Sequence, residues 1–313
     1  MIFDSLESIK AVADCYDDLK KHHAKSQRVQ NPRQNFKAPL MVSAHQLKHL
    51  NKMDELPCDA LMINLEDGVA KEQKEQALHY ALLFITHLQK SDKKVIVRVN
   101  ALDEGGKEEI AALNAVFPDA IRAPKIVNKK EVELLHDLID ESIDIHISIE
   151  TALAWKNLSE LKTSSRVTHF YLGVLDLLAD MHLPQSIITQ DNPTLLYMLG
   201  HFLLTSRSIG VEPVSFVFQE HENMKAFQEW IALEKKMGFE SKGVISPKQA
   251  KAMMALSVNE EEIQRAEHIV KAFESSALKG VTGFVDEKYG FIDEPIYKGA
   301  LVVLKGLSKN PKN

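Results

Sequence analysis

The sequence predicts a (β/α)8 TIM barrel with an N-terminal helical extension and a C-terminal helical segment. Eight short β-rich runs recur about every 29 residues between positions 39 and 242, helical stretches lie between them, and no glycine-rich turn follows the first run. Strands alternating with helices at the roughly 30-residue spacing of a βαβ unit imply a parallel sheet covered on its outer face. Eight such units in about 250 residues suit a closed barrel. A doubly wound open sheet is the alternative, but it seldom needs eight units and usually opens on a glycine-rich turn. The chain divides on this reading into residues 1–36 (helix and basic arm), 37–275 (barrel) and 276–313 (a C-terminal segment able to reach a neighbouring subunit).

At the start of the chain, Phe3, Leu6, Ile9, Val12, Ala13, Tyr16 and Leu19 fall at spacings of three and four, the stripe of one amphipathic helix. Residues 22–36 form a polar arm containing Pro32. The cations in and beside it (Lys20, Lys21, Lys25, Arg28, Arg33 and Lys37) offer either a contact for a phosphorylated ligand or a solvated linker. The β-rich runs then begin at Pro39, Ala60, Lys94, Asp119, Asp144, Thr168, Val211 and Lys242. Helices are expected over Lys71–Gln89, Asn128–Glu141, Pro193–Ser208 and Glu220–Met237. Beyond the eighth run, helices are expected over Pro247–Leu256, Asn259–Ser275 and Pro295–Leu307, with Tyr289–Asp293 between the last two. The final six residues are expected to be disordered.

Composition removes several classes of function. With 38 basic and 44 acidic side chains, a net charge of −6 gives no electrostatic footprint for nucleic acid. No apolar run reaches the roughly 18 residues of a membrane span, and Asp4, Glu7 and Asp14 interrupt any signal-peptide core. Two cysteines, Cys15 and Cys58, suit a reducing, cytoplasmic compartment. Neither a GxSxG elbow nor a P-loop nor zinc-protease HExxH spacing occurs.

In a barrel, reactive groups sit at the C-terminal ends of the strands, and alternation decides which side chains can point inward. Along the fifth run Ile145, Ile147 and Ile149 suit the helix layer, leaving His146, Ser148 and Glu150 inward. The same parity groups Met62, Asn64 and Glu66 on the second run, Ile96, Arg98 and Asn100 on the third, and Ile121, Ala123 and Lys125 on the fourth. Asp176 follows just past the sixth. Glu150 and Asp176 end neighbouring strands, about 4.8 Å apart, and can share one small hard cation. Mg²⁺ held there would act as a Lewis acid on a carbonyl oxygen. Arg98 adds a planar fork for a carboxylate or enolate oxygen. Glu66 and Arg98 could instead form a buried structural pair, and His146 reads as a satisfied core histidine.

Five motifs resemble a known family. Asn64-Leu65-Glu66-Asp67-Gly68-Val69 is similar to its D-L-E-D-A-V, Val97-Arg98-Val99-Asn100 to its V-R-V-N, and Ala123-Pro124-Lys125 to its L-P-K. Ile149-Glu150-Thr151-Ala152 and Gly173-Val174-Leu175-Asp176-Leu177 are similar to I-E-T-A and G-x-E-D-L. The family is the citrate lyase β-subunit-like group of the HpcH/HpaI aldolase superfamily, with its malyl-CoA and citramalyl-CoA lyases. The resemblance implies a Mg²⁺-dependent barrel lyase, usually trimeric, that makes or breaks a carbon–carbon bond. It puts the metal ligands on Glu150 and Asp176 and the substrate-binding arginine on Arg98. Gly290-Phe291-Ile292-Asp293 is similar to the family's G-x-M-I-D, which makes Asp293 an acid/base residue supplied by a neighbouring subunit, although it could equally cap the helix that follows.

The sequence departs from the family where P-G is replaced by Ser43-Ala44, a glutamate by Leu175, I-H-P by Ile245-Ser246-Pro247, and an opening arginine by nothing closer than Lys37. These departures touch the acyl-CoA surroundings more than the metal. The expectation is a lyase cleaving a 3-hydroxy-carboxylate, as its CoA thioester, to a 2-oxo acid and an acyl-CoA. In it Arg98, Glu66 and Asp293 are catalytic, and Arg98, Lys125 and Asn100 bind or orient substrate. A CoA-independent oxo-acid or sugar-acid aldolase and a non-catalytic paralogue with a binding role are the alternatives.

Overall fold

Strand β1 (Pro39–Ser43) pairs in parallel with β2 (Ala60–Asn64), and the ladder continues in chain order. It runs through β3 (Lys94–Arg98), β4 (Ala120–Ala123), β5 (Asp144–Ile149), β6 (Val167–Leu172), β7 (Glu212–Ser215) and β8 (Ser241–Lys242). Hydrogen bonds from Met41 N–H to Val244 O (2.9 Å) and from Val244 N–H to Pro39 O (3.2 Å) close β8 back onto β1. The computed structural model describes residues 1–25, 29–31, 35–88, 91–256 and 260–308, with side chains as far as residue 304. The eight-strand expectation is met, each strand starting within one residue of its expected position. Strands such as Ala60–Asn64 and Lys94–Arg98 are buried along their whole length, as a parallel sheet covered on both faces requires.

The chain parts into two compact units, Met1–Met254 and Ala255–Asn313. In the first, the expected single N-terminal helix is two short ones, α1 (Glu7–Ala11) and α2 (Tyr16–Leu19). Val12, Asp14 and Cys15 are weak helix formers, and the backbone is already extended at Cys15. The apolar stripe survives the break: Ile9, Ala13 and Leu19 are buried. Phe3 meets Phe84 edge-on at 5.3 Å and Tyr16 stacks on His79 at 5.1 Å. The arm is tied down as well, with Ala24 N–H donating to Thr86 Oγ1 and Gln30 Nε2 to Pro118 O. Among its cations, Lys20 and Lys21 pair with Asp17 and Asp18, and Arg28 and Arg33 lie outside the described residues. Phe36 then enters the barrel, joining Ala60, Met62, Ile96, Ala120, Tyr171 and Val214 in one cluster.

The remaining helices of this unit are α3 (Leu47–Leu50), α4 (Lys74–His87), α5 (Lys107–Leu113), α6 (Lys129–Leu138), α7 (Ala152–Lys156), α8 (Val174–Asp180), α9 (Pro193–Ser208), α10 (Met224–Met237) and α11 (Pro247–Met254). Side chains start several of them: Asn128, Thr151, Asn192 and Asn223 each accept from a backbone N–H in the first turn. The second unit contains α12 (Glu260–Ala277), an antiparallel hairpin of β9 (Gly283–Asp286) and β10 (Gly290–Asp293), and α13 (Glu294–Ser308). It packs its own core from Ala266, Ile269, Phe273, Ile292 and Ala300. The six terminal residues expected to be disordered lie, except for Ser308, outside the described ones. No helix among the described residues is long and apolar enough to cross a membrane.

Candidate active site

Glu150 follows directly on β5, with its side chain only 6% exposed. Its Oε1 accepts the backbone N–H of Lys125 at 2.9 Å. Lys125 reaches this position in a left-handed conformation (φ 55°), unusual for a residue with a Cβ. On the other side lies Gly173, whose N–H bonds Ile149 O at 3.0 Å. A Cβ there would stand 2.7 Å from Glu150 Cβ, so β6 can run on past the carboxylate only as glycine. Three residues later Asp176 occupies the first turn of α8, exposed to solvent. Glu150 and Asp176 line the same cavity of about 370 Å³, together with Asp67, Arg98, Arg122 and Gln219. Met41, Leu172, Leu175 and Ile245 give it an apolar wall.

Arg98 ends β3 and is 8% exposed. It forms an ion pair with Glu66, and its Nη2 donates to Asp67 Oδ2 at 2.5 Å. Its Nε is buried without a partner. Burial pushes the Glu66 carboxyl up to about 7, against the pull of Arg98 and with the help of Asp67 and Glu150. Burial alone would pull Arg98 down, but the charges of Glu66, Asp67 and Glu150 outweigh it and the net shift is upward. The expected pair thus exists, and one of its members also faces the cavity.

Other expected site residues are placed differently. The Lys125 side chain is half exposed, with Nζ 3.5 Å from Glu104, and it is the Lys125 backbone that touches Glu150. Asn100 is buried, and its amide bonds Leu65 O at 3.1 Å, Glu109 and Lys74. It ties the ends of β2 and β3 to α4 and α5. Asp293 belongs to the second unit, where its Oδ1 accepts the Ile296 N–H at 3.2 Å and caps α13.

The fourth strand runs in the opposite phase to the one that sequence parity predicts. In place of Ile121, Ala123 and Lys125, it is Ala120 and Arg122 that face the barrel interior: Ala120 joins the inner cluster, and Arg122 reaches Met62 and Tyr171 across it. Both faces of a barrel strand are apolar surroundings, so an Ile-Arg-Ala run does not reveal its own phase. The signal that could have found it is the lone arginine itself, since a charge buried without use is costly. Asp67, which in the sequence stands out only as part of its motif, reaches both Arg98 and the cavity.

As a cation site, the donor set is specific. Among the described residues no three His, Cys, Asp or Glu side chains gather to hold a metal. Glu150 and Asp176 offer carboxylate oxygens only. That excludes a closed zinc site and fits Mg²⁺, which takes one or two carboxylates and leaves its other positions to water and substrate.

The model of the family described as HpcH/HpaI aldolase/citrate lyase matches residues 37–247. The chain belongs to this enzyme family. Among HpcH/HpaI relatives, it is 29% identical over 250 residues to a (3S)-malyl-CoA thioesterase of Cereibacter sphaeroides, covering 78% of this chain and 85% of that one. It is also 29% identical over 263 residues to the citrate lyase subunit beta of Escherichia coli, covering 79% and 85%. The fold is similar to that of Mycobacterium tuberculosis CitE in complex with magnesium, acetoacetate and coenzyme A (TM-score 0.71, 21% identity, 87% and 98% covered). A citrate lyase from Burkholderia xenovorans gives a TM-score of 0.75 at 18% identity, with 87% and 91% covered.

Proposed function

We propose that this HpcH/HpaI family member is a Mg²⁺-dependent carbon–carbon lyase. It would cleave a 3-hydroxy-carboxylate, as its CoA thioester, to a 2-oxo acid and an acyl-CoA. The observation that carries the reading is the convergence of Glu150, Asp176 and Arg98 on one small cavity at the C-terminal ends of the strands, where barrels do their chemistry. The names of its relatives favour the CoA-thioester class.

Glu150 and Asp176 would hold Mg²⁺, which when bound supplies Lewis-acid stabilisation of negative charge on an oxygen. Arg98, which lines the cavity, would meet a substrate carboxylate or the departing enolate oxygen. Glu66 and Asp67 both hold the guanidinium at Nη2. Lys125 orients Glu150 through its backbone N–H, and Asn100 fixes the loops beneath. Asp293, from a neighbouring subunit of a cytoplasmic homotrimer, would move the proton between enolate and methyl group.

A CoA-independent oxo-acid aldolase is favoured by one observation, the apolar Leu175 in the cavity wall. A screen of acyl-CoA cleavage with 2-oxo acid release as readout separates the two readings. Release that stops when Mg²⁺ is chelated, and that is lost in Glu150→Gln, is the expected result. Cleavage of free hydroxy acids with indifference to CoA would favour the aldolase, and no Mg²⁺-dependent release from any substrate would overturn both.

A further inference from the structure

Arg98 and Arg122 are partners at the same register of adjacent strands, yet their charges are handled in opposite ways. Arg98 meets two carboxylates, Glu66 and Asp67. Arg122, 7% exposed, makes no ion pair among the described residues. Its Nε donates to Ser148 Oγ at 2.9 Å, its Nη1 lies 3.3 Å from Met62 Sδ, and its guanidinium sits 4.2 Å from the Tyr171 ring centroid. All three partners are neutral, and the two polar contacts use at most two of five N–H groups.

A buried cation beside a second one is expensive unless an anion answers it. Glu150 and Glu66 are near enough to be felt by Arg122 but bond to other groups. Ser148 is itself fully buried, so the guanidinium is held by an oriented partner rather than left to swing. Burial lowers Arg122 to about 10, which still leaves it charged at neutral pH. The group lines the same cavity as Glu150 and Asp176. The cation without a carboxylate of its own at this mouth is therefore Arg122, one strand away from the arginine that the motifs single out.

We propose that Arg122 is a specificity-determining residue that receives an anionic group of the substrate, a carboxylate other than the oxygens offered to the metal. The ligand class is a hydroxy or oxo acid that carries a second free carboxylate, in addition to any thioester, directed toward the barrel axis. This rests on the reading of the cavity as the substrate site and goes further by naming what the substrate must carry. Arg98, already compensated, then serves the charge that develops during reaction, and Arg122 the charge present throughout.

The test is calorimetric titration of the full-length protein with malate and with lactate, which lacks only the second carboxylate, each with and without Mg²⁺. Wild type is expected to bind malate about a hundredfold more tightly than lactate, the usual scale for a buried charge-assisted contact. Arg122→Met, which keeps volume and the apolar surroundings of Met62, should bring the two within about threefold. Arg122→Lys, which keeps the charge but loses the fork, should retain part of the preference and covers the case in which the methionine variant fails to fold. Equal binding of the two acids by wild type, or an undiminished preference in the variants, overturns the proposal. Binding of both acids that is indifferent to Mg²⁺ would count against the metal reading instead, and the malate-to-lactate ratio would still decide the role of Arg122.

Discussion

At the N-terminal end of the barrel His146 and His169 lie together, ring centroids 4.4 Å apart, with Phe36 stacked on His169 at 4.5 Å. At the other end Glu66, Arg98, Arg122 and Glu150 are about as deeply buried. The histidines are held neutral: burial takes His169 down to about 3 and His146 well below its usual value. At the mouth Arg98 keeps its charge because Glu66, Asp67 and Glu150 answer it, Arg122 awaits an anion, and burial lifts Glu66 only to about 7. The same loss of water has two outcomes, and neighbours decide which. Where none is offered, the group gives up its charge and becomes packing. Where pairs are offered, the charge is kept in a form that a ligand can use. Stability is thus concentrated at one end and chemistry at the other.

The largest effect that should separate the ends is acid sensitivity. Between pH 6.5 and about 3 the unfolded chain binds a proton that folded His169 refuses, so stability is complete above that window and is lost as pH falls through it. The loss is on the order of 3–5 kcal/mol, and His169→Gln should flatten this limb in urea denaturation across pH. Next, Phe36→Ala empties the plug and should cost about 3–5 kcal/mol, while the folded variant keeps wild-type Mg²⁺ affinity. A coupled loss of metal binding would mean that the two ends are not separable.

Smaller effects belong to the mouth. Between pH 4.5 and about 7 folded Glu66 holds a proton that the unfolded chain has released, so this contribution falls as pH rises and levels off above the window. Glu66→Gln should remove about 1–3 kcal/mol of that dependence, opposite in sign to the histidine limb. Gly173→Ala should lower the unfolding free energy by about 1–3 kcal/mol, because the added Cβ would stand 2.7 Å from Glu150 Cβ. Its new Cβ displaces Glu150, so Mg²⁺ affinity should fall about tenfold, by calorimetry.

The two ends also differ in how far the sequence reveals them. Strand positions are readable because β-rich runs and helices repeat at a regular interval. Glu150, Asp176 and Arg98 are readable because charges at strand ends are rare enough to stand out. Phase is readable on β5, where polar and isoleucine positions alternate, and unreadable on β4, where Ile121, Arg122 and Ala123 are all buried. Asn100 and Lys125 can be assigned to the region from the sequence, but not that one braces loops and the other acts through its backbone. Those roles depend on partners distant in sequence, Leu65 for Asn100 and Glu150 for Lys125. The N-terminal stripe is legible while the break at 12–15 is not, because docking on α4 tolerates two short helices as well as one.

Whether Glu150 and Asp176 together hold a divalent cation beside Arg98 is tested most directly by Mg²⁺ titration, read by calorimetry, on wild type and Glu150→Gln. Saturable binding of one ion per chain to wild type, and none to the variant at the same fold stability, is the expected result. Wild-type protein that takes up no Mg²⁺, or a variant that binds it as well as wild type, would contradict it.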